Sequence, residues 1–212
     1  MLSGRRSPRT LAQRIGLALT AMAALVLGYF WGNDFSRQQL QKQISAGLIA
    51  EAPELPEFQL LDQQGTPFSK ADLKGRWSLL YPGCLTCPRN QAAVLPLFVQ
   101  VHNRLADRPG LQANTRFLFL ATDPSETTDE AFRSPFAFLP PAFVGLRGAA
   151  EPLIEWLRPW YPGGAEPGAL MDAESPLFLI DPGAKLIAVF RGWSAAEGIA
   201  ADLKTLADRF GD

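Results

Sequence analysis

The sequence predicts an α/β fold, because apolar runs of strand length alternate with segments of helical period over most of the chain. Three observations carry this. Trp77-Ser78-Leu79-Leu80-Tyr81 is a short apolar run, and Val94, Leu97, Phe98, Val101 and Leu105 recur after it at helical spacing. Leu177–Ile180 and Lys185–Phe190 flank Asp181-Pro182-Gly183-Ala184, a hairpin signature. Behind Ser194 and Glu197, which read as a capping box, Ile199, Leu203, Leu206 and Phe210 form one face of a closing helix.

At 212 residues, 47% hydrophobic and 19% charged, the chain holds one well-cored domain and a set of extensions. A net charge of -1 gives no overall attraction to polyanions, so nucleic acid is set aside as a partner. Two cysteines in a chain of this length leave redox chemistry, metal binding or one structural bridge. A zinc site lacks support, because the single histidine, His102, falls fifteen residues after Cys87 on the same predicted helix, about 22 Å along its axis. His102 reads as a partly exposed helix residue.

In chain order, residues 1–14 carry Arg5, Arg6, Arg9 and Arg14 without an acidic residue and read as a cytoplasmic tail. Residues 15–31 run without a charge and end on Tyr29-Phe30-Trp31, which predicts an uncleaved transmembrane helix with the rest of the chain outside the cytoplasm, on the periplasmic side in a bacterium. Residues 32–56 are polar and Gln-rich and read as a stalk, and the domain is expected over 57–212. Within it, Phe58–Asp62 reads as a strand, Gln63-Gln64-Gly65 as a turn and Ser69–Asp72 as a helix start. Thr115–Ala121 reads as a buried strand, Ala142–Leu146 as a short strand and Glu151–Leu157 as a short helix. Pro96 removes a donor inside the predicted helix after the cysteines and predicts a kink. The Pro- and Gly-rich stretch 158–172, with Trp160 and Tyr161 near its start, reads as a loop packed on its own domain.

Cys84 and Cys87 form a C-x-x-C at the strand-to-helix junction. Unpaired N–H groups and the positive dipole end at a helix start favour a thiolate over a thiol, so Cys84 is the expected nucleophile. Cys87, a turn further on, closes a disulfide onto it. Pro88 suits a first helical turn, where no donor is lost. So short a loop gains little from chain entropy, which argues against a purely structural cross-link.

The order strand, C-x-x-C helix, strand, helix, hairpin, helix resembles the thioredoxin fold, a central mixed sheet flanked by helices. More closely, residues 58–210 resemble the SCO/SenC family of membrane-anchored proteins that help assemble the copper centre of cytochrome c oxidase. The stretches that carry this are Phe58–Gly65, Leu73-Lys74-Gly75-Arg76-Trp77, Cys87-Pro88, Asp123-Pro124, Gly145-Leu146-Arg147-Gly148 and Leu179-Ile180-Asp181-Pro182, with the N-terminal anchor. That family typically has C-x-x-x-C and a histidine shortly before the hairpin. Here the spacing is C-x-x-C and Met171–Pro176 holds no histidine, so the family's third ligand is not carried over. The likeness to thioredoxin-like oxidoreductases, by contrast, implies a cis-proline before the first hairpin strand, facing the cysteines, and Ser175-Pro176 lies close to that position. A trans proline opening an edge strand is the other reading.

Together these features predict a membrane-anchored, extracytoplasmic thiol–disulfide oxidoreductase that uses Cys84, Cys87 and Pro176. Its client is a protein thiol or disulfide, which the resemblance implies to be a cytochrome c oxidase subunit. The alternative is a Cu(I) carrier with Cys84 and Cys87 as soft ligands and Met171, the remaining thioether, as a candidate third, although such a methionine more often fills a packing gap. Peroxidase chemistry ranks third, because the similar peroxiredoxin family precedes its nucleophile with a threonine at a spacing where this chain has Tyr81.

Overall fold

The structure is a computed structural model that describes residues 19–28, 44–84, 88–122, 128–164, 175–191 and 195–210. Two compact units are distinguished, Met1–Gln43 and Ile44–Asp212. In the first, a helix α1 covers 19–28 and exposes Leu19, Met22, Leu25 and Leu27. Among the described residues no helix is long and apolar enough to cross a membrane. Residues 15–18 and 29–31 of the predicted anchor lie outside them.

The second unit is built on one eight-stranded mixed sheet. Its strands are β1 (Gly47–Leu48), β2 (Gln59–Asp62), β3 (Pro67–Ser69), β4 (Trp77–Gly83), β5 (Thr115–Ala121), β6 (Phe143–Gly148), β7 (Leu177–Ile180) and β8 (Leu186–Phe190). They lie in the order β1-β8-β7-β4-β5-β6-β2-β3. The helices are α2 (Pro88–Arg104), α3 (Pro109–Ala113), α4 (Asp129–Arg133), α5 (Glu151–Leu157) and α6 (Ala196–Phe210).

β4 is buried at every position, as a central strand covered on both faces must be. Crossing over through α2 makes β5 parallel to β4, with Leu79 opposite Phe117 and Leu80 opposite Leu118. On its other side β4 pairs antiparallel with β7, Leu80 opposite Phe178. Alternate residues feed two cores. Phe98 of α2 packs on Phe117, ring centroids 5.3 Å apart, while Leu80, Leu118 and Phe178 cluster with Leu153 and Leu157 of α5 on the opposite face. This is the thioredoxin-like arrangement that the resemblance implies.

Most predicted elements fall where the sequence places them, and three differ in detail. Ser69 donates its N–H and hydroxyl to the Asp72 carboxylate at 2.8 and 3.0 Å, but the helix that follows is a 3-10 turn, Lys70–Leu73. Phe210, expected on the buried face of α6, is 45% exposed, whereas Ile199, Leu203 and Leu206 are buried. Pro176 precedes a strand in the middle of the sheet rather than at an edge. Ser194, half of the predicted capping box, lies outside the described residues.

The largest correction concerns the stalk. Residues 44–56 are part of the folded unit, so it begins at Ile44 rather than at 57. β1 pairs with β8, Gly47 opposite Val189. Leu186 donates its N–H to the Pro53 carbonyl, and Leu55 donates to Ala184. The Asp202 carboxylate of α6, itself buried, accepts from Ser45 N–H at 2.9 Å, Ser45 hydroxyl at 2.7 Å and Ala46 N–H at 2.9 Å. The segment covers an edge of β8 that would otherwise present unpaired backbone groups.

Candidate functional site: the cysteine end of the central strand

β4 delivers Tyr81, Pro82 and Gly83 to the end of the sheet, and Cys84 follows, 8% exposed. The Tyr81 ring packs on Phe119, centroids 5.6 Å apart, and leans along the strand over Gly83. A Cβ at Gly83 would stand 2.2 Å from Tyr81 Cε1, so only glycine fits between this ring and the cysteine. Cys84 is disulfide-bonded. Cys87 is the only other cysteine of the chain, and its placement lies outside the described residues. The described part of α2 opens at Pro88 and has no acidic residue in its first turn, so nothing there opposes the positive end of the helix dipole.

The register of β4 and β7 locates Pro176. Ser78, Leu79 and Leu80 pair with Ile180, Leu179 and Phe178, and two further steps put Pro176 opposite Pro82. Pro176 is buried and adjoins the cysteine end. No peptide bond among the described residues is cis, so Ser175–Pro176 takes the trans form. Met171 lies outside the described residues. His102 is remote, in the last turn of α2, where its ring meets Phe117 and Phe143 edge-on at 5.9 and 5.6 Å. The helix residue expected from the sequence is what the structure holds.

Tyr161, expected from the sequence only to pack, lies against β7 on the face of the sheet that α5 covers. Its ring packs on Phe178 at 5.7 Å, and it is 4% exposed. Trp160 packs on Trp156, 5.0 Å away, so both aromatics of the loop rest on their own domain as expected. Burial, and to a lesser extent the neighbouring Tyr81, push the ionisation of the Tyr161 phenol up. The Tyr161 hydroxyl has no hydrogen-bond partner, an arrangement that costs about 1–3 kcal/mol. No periodicity marks Tyr161 in its Pro- and Gly-flanked stretch, which is why the sequence does not single it out.

Further along the same end, Arg147 of β6 pairs with Asp129 at 2.6 Å and lies over the Phe132 ring, 5.0 Å from its centroid. The pair fixes the start of α4 and holds the Asp129 carboxyl below its ordinary value, chiefly through the hydrogen bond from Arg147. A groove of about 540 Å³ lies elsewhere, against β2, β3 and Gly148 at the sheet edge. Among the described residues no group of three or more His, Cys, Asp or Glu is placed to hold a metal ion.

A buried strand that ends in a disulfide-bonded cysteine before a helix is a redox or soft-metal site in form, and the comparisons with known proteins bear on the family and the fold. The sequence pattern of the SCO1/SenC family matches residues 47–208. A bovine relative, the mitochondrial protein SCO2 homolog, is 30% identical over 192 residues, covering 85% of this chain and 71% of its own. Copper-bound ScoI from Arabidopsis thaliana has a similar structure, with a TM-score of 0.59 at 16% identity over 74% of this chain and 99% of its own. BsSco, a member of the Sco family of cytochrome c oxidase assembly proteins with an identified disulfide switch, gives a TM-score of 0.54 at 18% identity over 74% and 96%. With three quarters of its length inside the family pattern, beginning at β1, this chain belongs to the SCO1/SenC family.

Proposed function

We propose that the chain is a membrane-anchored, extracytoplasmic thiol–disulfide oxidoreductase that acts in assembly of the cytochrome c oxidase copper site. The observation that carries this reading is Cys84 in a disulfide at the strand-to-helix junction. In the reduced form Cys84 attacks a client disulfide, one client sulfur leaves as a thiolate, and Cys87 then displaces the second client sulfur to re-form the disulfide. Pro176, which the register of β4 and β7 puts opposite Pro82, supports this reading as the residue that would shape the surface beside Cys84 for a client chain. The four arginines before Ile15 keep the N-terminus in the cytoplasm, and residues 15–31 supply the anchor.

Cys87→Ser should trap a mixed disulfide between Cys84 and the client, recoverable under non-reducing conditions. Faster alkylation of the thiol left in Cys84→Ser than of the thiol left in Cys87→Ser would reverse the two roles.

A second reading is favoured by the copper-bound relative: a carrier of Cu(I) as cargo. Two thiolates suit that soft ion, whereas Cu(II) prefers nitrogen and oxygen donors in a tetragonal set, and among the described residues no group of three or more His, Cys, Asp or Glu is gathered for a metal. Anaerobic competition for Cu(I) against a chelator of known affinity, with and without Met171→Leu, separates the readings. A large loss of Cu(I) affinity in that variant with the fold intact favours the carrier.

A further inference from the structure

The turn that joins α4 to β6 opens an uncharged run, residues 134–146, between Arg133 and Arg147. It lies on the α2 face of the sheet, where Phe136 meets Phe119, ring centroids 6.4 Å apart. Most large side chains of the run go inward, and Phe136, Phe143, Val144 and Leu146 are buried. Phe138 goes the other way. It is 98% exposed, whereas the other outward-facing large apolar residues described in the second unit, Leu61 and Phe210, are less than half exposed. Ala137, Pro140 and Pro141 beside it are exposed as well.

The backbone of this tip asks little of water. Ala137 and Leu139 donate their N–H groups to Ser134 and Phe136 at 3.3 and 3.1 Å, Pro140 and Pro141 have no N–H, and the Pro140 carbonyl accepts from Phe143 at 2.9 Å. A segment that enters lipid has to satisfy its backbone internally, and these bonds serve that end. No polar side chain lies between Ser134 and Arg147, so the tip lacks the hydrogen-bonding rim that fixes a protein partner. The chain also supplies the lipid. Residues 32–43 join the uncharged run 15–31 to Ile44, a length of chain that spans at most about 40 Å. β6, on which the tip opens, lies five strands from β1 in the sheet, about 24 Å away. A bilayer holding the anchor is therefore within reach of the tip and at high effective concentration beside it.

We propose that Phe138, with Leu139 and the two prolines, is a second membrane contact, in which a phospholipid interface takes the Phe138 ring between headgroups and acyl chains and so holds the unit in one orientation on the bilayer. The inference rests on the reading of residues 15–31 as an anchor.

The test places the full chain in phosphatidylcholine nanodiscs that contain a phosphatidylcholine spin-labelled in its acyl chain, and reads backbone amide signals. The Leu139 amide should broaden, and the amide of Glu155, in α5 on the opposite face of the sheet, should stay sharp. Phe138→Ser should shift the tip about tenfold toward water and remove most of the broadening, while Phe138→Trp should keep it. Residue 138 is exposed, so neither change threatens the fold. A sharp Leu139 amide in a chain that has entered the discs overturns the inference and leaves the tip to a protein surface. Equal broadening at Glu155, or broadening that survives Phe138→Ser, overturns it as mere nearness of a tethered unit. A full chain that does not enter the discs overturns the anchor reading and the inference together.

Discussion

The sheet handles buried polar groups in opposite ways at two places. Along β8, the N-terminal segment meets the rest of the unit through matched partners: one carboxylate, Asp202, accepts three hydrogen bonds from Ser45 and Ala46. Against Phe178 of β7, by contrast, the Tyr161 hydroxyl is buried without a partner. A group that serves only stability is expected to be satisfied in the one state the fold has. Left unsatisfied, the hydroxyl costs the unit stability, as the buried Ser78 Oγ of β4 does.

The comparison breaks most readily at the matched side. Asp202→Ala leaves the Ser45 and Ala46 donors buried without their acceptor and should cost about 3 kcal/mol of stability. Urea unfolding measures this. The reduction potential of the cysteine pair should not move in this variant; if it does, the two regions are coupled and the division between them is wrong.

Next in size is Gly83→Ala, at the cysteine end. The added Cβ meets Tyr81 Cε1 at 2.2 Å, and the ring is itself held against Phe119, so it has little room to yield. Overpacking of this kind should cost about 1–3 kcal/mol. Unfolding with the pair oxidised and then reduced should show a loss in both states. A neutral result would mean that the Tyr81 ring moves freely and is not the fixed wall before Cys84 described above.

What the sequence made legible and what it hid follow the same division. β4, β5 and β7 are short runs rich in large apolar residues, buried at every position but Arg116, and such runs announce themselves. Glu151–Leu157 was legible because Leu153 and Leu157 lie one turn apart and both face the core. The cysteine pair was legible from two residues. The strap over residues 44–56 was not, because Gly47–Leu48 is too short a strand to show any alternation, and the Gln-rich stretch before it set the expectation. Asp202 was equally hidden, since an aspartate within a helix reads as solvent-facing until a distant segment is known to cover it. Tyr161 follows a short helix in a Pro- and Gly-rich stretch, where no pattern separates a buried phenol from an exposed one.

The smallest expected effect lies on the surface between α6 and the turn after α2, and it sharpens the contrast between matched groups that are buried and matched groups that are exposed. Asp107 pairs with Lys204 at 2.7 Å, and Asp208 pairs with Arg108. Each carboxyl is held below its ordinary value of 3.8, chiefly by the hydrogen bond from its partner. A depressed carboxyl contributes stability that is present above the unfolded value and lost as pH falls through the folded one, so the contribution of these pairs is complete above about pH 4 and is lost only below it. Between neutrality and mild acid they add no pH dependence. Lys204→Met should therefore leave the unfolding midpoint nearly unchanged at pH 7 and flatten its decline in acid. Because the pairs are open to solvent, salt near 1 M should erase even that difference, whereas the buried loss caused by Asp202→Ala should persist in the same salt.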